Sequence, residues 1–277
     1  MQIACFTKSF QDWSLDRTCR EFAAIGLNGL DLTVRNGGSI DPLAAEDALP
    51  KAAETAHYQG LKILLITSDI TDPDSRAERV FQAAAKQGIQ RLKLGYYPYV
   101  PFGTLAKQMD DVRRRLAAVA KLAARYEVLP CVHIHSGNDI PSHGTMLYEL
   151  LKDLPPDQIG AYVDPMHMTL EGGNSGWLQG LDLLAPWIKL VAVKNFAWHK
   201  TTRDQAGQQL WATGVVPMAD GVAPLPKFVA TLRKIGYDGT YSLHSEYKGK
   251  HTFRDLNTEE CLKQTAADLA FFKSLFV

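Results

Sequence analysis

Two carboxylates, a histidine pair and a lysine close short apolar runs, and their types make them the first candidates for chemistry. Asp164 ends Ala161-Tyr-Val-Asp, and Glu246 ends Tyr241-Ser-Leu-His-Ser-Glu. His133 and His135 end Pro130-Cys-Val-His-Ile-His, and Lys194 ends Val191-Ala-Val-Lys. If these runs are strands, residues two apart share a face. Val132, Ile134, Val163, Val191 and Val193 then turn one way, leaving Cys131, His133, His135, Asp164, Ala192, Lys194, His244 and Glu246 on the other. Carboxylate plus imidazole suits a divalent ion such as Mn, Zn, Co or Mg, with Asp164, Glu246 and either His133 or His135 as candidate ligands. The plainer reading of each histidine is membership of a hydrogen-bonded network.

Lys194 follows the apolar run Val191-Ala-Val, so desolvation is expected to lower its pKa. It then serves as general acid or base, or as a fixed cation beside a developing oxyanion. The alternative is a salt bridge to Glu246 or Asp164. His167, three residues after Asp164, is the third catalytic candidate, as the group that orients substrate hydroxyls. The same phasing turns Asp31, Thr33, Arg35 and Lys93 inward. Arg35 and Lys93 suit a carboxylate or phosphate on the substrate, unless they pair with Asp31. His135, Asn195, His199 and His244 complete the expected substrate contacts. Trp198, Trp211 and the Tyr96 to Tyr99 run are candidates for stacking on a sugar face, or for plain packing.

The elements that must position these residues show as a weak repeat. Gly26-Leu-Asn-Gly-Leu-Asp-Leu, Gly60-Leu-Lys-Ile-Leu-Leu-Ile, Gly88-Ile-Gln-Arg-Leu-Lys-Leu and Gly236-Tyr-Asp-Gly-Thr-Tyr-Ser-Leu each put glycine just before a strand-like run. Glycine ending a helix before a strand marks an αβ loop. Between such runs lie helix-periodic segments, most clearly 105–126. The expected strands are 2–6, 29–35, 61–67, 90–95, 129–135, 159–164, 189–194 and 240–246. Helices are expected near 15–25, 43–58, 75–87, 105–126, 143–152, 177–185, 225–235 and 257–275. That spacing predicts an α/β fold, a single-domain TIM (β/α)8 barrel spanning 1–277, with a doubly wound open sheet as runner-up. The segment 196–224 is too long for an ordinary βα loop and is expected to form a lid over the mouth, or else an oligomer contact.

Composition narrows the partners. The 277 residues hold 30 Lys plus Arg and 30 Asp plus Glu, a formal charge of zero that argues against a nucleic-acid partner. Hydrophobic residues make up 46% and charged residues 22%, which excludes a disordered chain. No apolar run is long enough for a membrane span. Four scattered cysteines and no basic, apolar leader suggest a reduced, cytoplasmic setting. No phosphate-binding or dinucleotide glycine loop and no Gly-x-Ser-x-Gly elbow is present, so neither a nucleotide cofactor nor covalent acyl transfer is expected.

Several segments together resemble the sugar phosphate isomerase/epimerase family, whose members have xylose isomerase-like barrels and which also includes an apurinic endonuclease type. They are Ile25-Gly-Leu-Asn-Gly-Leu-Asp-Leu, Val132-His-Ile-His-Ser-Gly137, Gly160-Ala-Tyr-Val-Asp-Pro-Met-His167, Val191-Ala-Val-Lys-Asn-Phe196, and Val216-Pro-Met-Ala-Asp-Gly-Val through to Glu246. The resemblance implies a metal held by Glu, Asp, His and Glu on strands five to eight. Asp164 and Glu246 match that pattern, while His133 and Ala192 occupy the other two positions. It also implies a small-molecule sugar substrate, and leaves room for a homo-oligomer. The expected activity is sugar or keto-sugar isomerisation or epimerisation by proton transfer next to a carbonyl. The alternatives are a lyase or hydratase on an oxidised sugar, a non-catalytic sugar-binding barrel and, last, an apurinic endonuclease.

Overall fold

A computed structural model describes residues 1–277. Eight short strands form the frame: β1 (Gln2–Phe6), β2 (Gly29–Val34), β3 (Lys62–Ser68), β4 (Arg91–Lys93), β5 (Leu129–His133), β6 (Gly160–Val163), β7 (Ile188–Val193) and β8 (Thr240–Leu243). All neighbours pair in parallel, and β8 returns to β1 with Ile3 opposite Tyr241. This closure excludes the open doubly wound sheet and makes the fold a TIM barrel.

Each strand is followed by a helix: α1 (Leu15–Ala24), α2 (Ala45–Tyr58), α3 (Ser75–Lys86), α4 (Leu105–Ala124), α5 (Gly144–Leu151), α6 (Pro165–Leu184), α7 (Leu225–Lys234) and α8 (Thr258–Ser274). The repeat glycines turn the chain as expected. Gly60, after α2, takes a φ of 75°, a left-handed conformation that lets the chain pass directly into β3.

Outward strand residues such as Leu30, Leu32, Val132, Val163, Val191 and Val193 join the helices in the main apolar cluster. Inside the barrel, a small cluster of Ala4, Leu65, Cys131, Tyr162, Leu190 and Ala192 forms a plug. Above it the interior turns polar, with Asp31, Thr67 and Ser242 all buried.

Two expectations are corrected. The helix expected at 177–185 begins at Pro165 and bends at Gly173 (φ 58°, ψ −142°). The segment 196–224 is not an irregular loop. An antiparallel hairpin, Asn195–Arg203 with Gln209–Val216, fills most of it, followed by a 3-10 turn at Met218–Asp220. A smaller pair, Tyr97–Pro98 with Asp139–Ile140, flanks the mouth. No helix is long and apolar enough to cross a membrane.

Candidate active site

The carboxyl ends of the strands carry the polar side chains, and one carboxylate organises the floor. Asp31 accepts hydrogen bonds from Thr67 Oγ1 (2.6 Å), Ser242 Oγ (2.8 Å) and the Tyr162 hydroxyl (3.2 Å). His244 Nε2 lies 2.9 Å from the same Tyr162 hydroxyl, and its ring stacks on Phe6 at 4.6 Å. These contacts tie β2, β3, β6 and β8 together beneath the site.

Asp164 does two jobs, because Pro165 comes directly after it. An aspartate before a proline is a favoured start for a helix, the carboxylate capping and the proline entering at the first turn. Its Oδ1 accepts from the backbone N–H groups of Met166 (2.8 Å) and His167 (3.3 Å), which leaves Oδ2 for the site. Oδ2 lies 3.4 Å from His133 Nε2 and 3.6 Å from His167 Nε2. These three buried atoms have no hydrogen-bond partner. The His167 ring is set by Ser136, whose N–H donates to Nδ1 (3.2 Å) and whose hydroxyl lies 2.8 Å from the same atom. The Tyr96 hydroxyl lies 3.2 Å from His133 Nδ1.

Lys194 stands between two carboxylates. Its Nζ is 2.7 Å from Glu246 Oε2 and 3.8 Å from Asp164 Oδ2, and its side chain is 5% exposed. Lys8, on the turn after β1, takes the other oxygen of Glu246 at 2.6 Å. Burial by itself pulls Lys194 down, but Glu246 and Asp164 outweigh it and hold its pKa above the usual lysine value. The shift runs opposite to the expected depression and favours the charged ammonium. Burial pushes Glu246 up, yet Lys194, Lys8 and His244 more than offset this and keep it ionised, well below its usual range. Asp164, wholly buried, is raised by desolvation, against the pull of Lys194 and His244. Burial, reinforced by nearby lysines, keeps His133 and His167 neutral, well below the ordinary histidine value.

Glu246, Lys194, His133, His135, His244, Arg35 and Lys93 line one cavity of about 100 Å³, together with Lys8, Phe6, Thr67, Tyr96 and Tyr162. Asp164 and His167 lie just behind its wall. A larger groove of about 620 Å³ runs between α6 and α7, but Lys227 is its single charged lining residue, so the chemistry belongs to the smaller cavity.

Two expected substrate contacts are not brought to it. The Asn195 amide is spent on backbone, donating to the carbonyls of Met218 and Ala223 and accepting from the N–H groups of Phe196 and Ala223. His199 points to solvent on the hairpin. Trp198 and Trp211 are likewise exposed there, at 49% and 54%, away from the cavity. Lys8, Ser136 and Tyr162 are site residues that pattern reading missed. Lys8 precedes no periodic signal, and Tyr162 looks like one more core aromatic.

The sequence of residues 19–275 matches the profile of the xylose isomerase-like TIM barrels. The chain belongs to this family. Among solved barrels of the same architecture, a D-psicose 3-epimerase with D-tagatose from Clostridium cellulolyticum H10 superposes with a TM-score of 0.73 at 14% identity, covering 99% of both chains. The probable 3-DHS dehydratase AsbF from Bacillus anthracis gives 0.68 at 16% identity, over 98% of this chain and 99% of that one. A xylose isomerase-like TIM barrel protein from Mycobacterium smegmatis in complex with magnesium gives 0.67 at 14%, over 100% and 98%. No curated protein matches the sequence.

In this xylose isomerase-like barrel the three orphaned atoms, on His133, Asp164 and His167, lie within 4.8 Å of one another. Two neutral imidazoles and a carboxylate fit a divalent ion. The set differs from the expected one, because both oxygens of Glu246 are held by ammonium groups and His167 takes its place. Nδ1 accepts from the Ser136 N–H, which puts the ring proton on Nε2; ligation there would require that proton to move to Nδ1, replacing this bond with one to the Ser136 hydroxyl.

Proposed function

We propose that this barrel is a keto-sugar isomerase or epimerase that moves a proton on the carbon next to a carbonyl. The observation that carries this reading is the Lys194–Glu246 pair, 2.7 Å apart at the cavity wall, with a second carboxylate 3.8 Å behind the ammonium. Such a site needs a base for the C–H proton and a positive charge for the oxyanion that results. Glu246 is ionised and serves as the base. Lys194 has three donors, and as charge builds on the substrate oxygen its ammonium turns from Glu246 towards that oxygen. Losing this partner raises the basicity of Glu246 as the proton transfers, so the two residues act as one device. His167 Nε2 meets a substrate hydroxyl only when no ion occupies it. A divalent ion held by His133, Asp164 and His167 would add Lewis-acid polarisation of the carbonyl.

Deuterium exchange into keto-sugars in D2O, followed by NMR, tests the reading. Exchange at the carbon next to the carbonyl is expected in the native protein and is lost in Glu246→Gln. Full exchange in that variant removes Glu246 from the mechanism. The likeness to a dehydratase supports a second reading, in which the same carbanion expels a neighbouring hydroxyl. Loss of water in the product, instead of inversion or carbonyl transfer, selects it.

A further inference from the structure

Two cations in the cavity wall have no counter-ion. Lys93 ends β4 and is only 2% exposed, and Arg35 follows β2. Neither side chain makes a hydrogen bond, and neither lies within 4 Å of a carboxylate. What they face are aromatic rings. Lys93 Nζ sits 3.4 Å from the centre of Tyr96, and the Arg35 guanidinium 5.5 Å from that of Phe6.

Each acid near enough to act on Lys93 is committed elsewhere. Asp31 is held by Thr67, Ser242 and Tyr162. Asp69 pairs with Arg76 at 3.2 Å, and Asp139 with His135 at 2.8 Å. The internal pairing with Asp31 that the sequence allowed is therefore absent. Of the twelve residues lining the cavity, four are Lys or Arg and one, Glu246, is a carboxylate, in a chain whose overall charge is zero. A buried charge normally has a partner. Burial, with Arg35 beside it, pulls Lys93 down to about 7, and an anion alongside would hold it charged.

We infer that the substrate carries a carboxylate or phosphate that seats between Arg35 and Lys93. This rests on the keto-sugar reading above and narrows its substrate to an anionic sugar. Arg35 and Lys93 flank Thr67 on β3, while Lys194 and Glu246 stand on β7 and β8 on the other side of the ring. The charged end of the substrate is thus held away from the carbon that loses its proton. Arg35 supplies a planar fork and Lys93 a point charge, which suits a planar or tetrahedral anion.

Isothermal titration with D-fructose, D-fructose 6-phosphate and D-glucuronate tests this. At least one of the two anions should bind tenfold or more tighter than fructose, and which one does so separates phosphate from carboxylate. Arg35→Met and Lys93→Met should each remove that preference. Arg35 is half-exposed, so its variant serves even if Lys93→Met fails to fold. Fructose binding as tightly as both anions, or a preference that survives both substitutions, overturns the inference. Proton exchange, measured in parallel, keeps the two ideas apart. Selective anion binding without exchange sinks the isomerase reading alone, and exchange on fructose with no anion preference sinks the anion site alone.

Discussion

Replacing Lys194 by Met removes the cation on which two carboxylates depend and keeps the length of the chain. At an effective dielectric of about 20, the 2.7 and 3.8 Å separations correspond to gross attractions of about 6 and about 4 kcal/mol. Desolvation of the ammonium cancels much of this. The net cost of leaving buried charge unpaired is about 3–5 kcal/mol, a large share of the stability of an ordinary domain. Lys8 stays on Glu246, but it is half-exposed and screened, so it recovers only part of the loss. The sign of the pH dependence follows from Glu246. Its folded pKa is depressed, so its stabilising share is complete above the unfolded value of 4.5 and fades as pH falls through the folded value. The variant lacks most of that share, so the gap to the native protein should be widest near neutral pH and should close on acidification below 4.5. Urea unfolding followed by circular dichroism at several pH values measures this. A loss at neutral pH of less than about 1 kcal/mol, the size of a solvated surface pair, refutes the reasoning. A loss that stays constant on acidification does so too, because it would come from packing alone.

Three further outcomes are expected. Glu246→Gln should slow proton exchange by about 10²- to 10⁴-fold, the range for a lost general base, with the fold intact by circular dichroism. Asp164→Asn keeps an oxygen to cap α6 but removes the charge facing His133 and His167. Zinc or manganese should therefore raise the melting temperature of the native protein, by about 2.7 kcal/mol of stabilisation at a hundredfold excess over Kd, and leave the variant unmoved. Equal shifts in both proteins would rule out Asp164 as a ligand. Asn195→Ala should lose about 2–4 kcal/mol, because it strands buried backbone groups, whereas His199→Ala should stay within about 0.5 kcal/mol. Denaturant midpoints for the pair decide whether Asn195 is structural.

The barrel was legible because its strands largely alternate and four of its helices end in glycine. Phasing on the large aliphatics placed Asp31, Lys93, His133, Lys194, His244 and Glu246 on the inner face, where the structure has them. What it did not read was chain that leaves the pleat. β5 stops at His133 and β8 at Leu243, so His135, His244 and Glu246 ride on backbone past the ladder. The α6 start was hidden by Gly172 and Gly173, poor helix formers, although Asp164 followed by Pro165 was a cap signal in plain view. Lys8 reaches Glu246 across 238 positions, a contact no local pattern encodes. The cluster that could hold a metal takes in His167 instead of Glu246, because residue type alone does not tell which carboxylate an ammonium will take.

Asn195 lies between Lys194, whose ammonium faces the two carboxylates, and a hairpin that leans out into solvent. Its four hydrogen bonds fasten the root of the hairpin to the turn at 218–223, one residue from the ammonium. At the same root, Val215 exchanges backbone hydrogen bonds with His251 and Phe253, and the tip of the hairpin is exposed. Asn195 thus anchors the root of the hairpin, and with it the backbone that carries Lys194, independently of whatever sequence forms the tip.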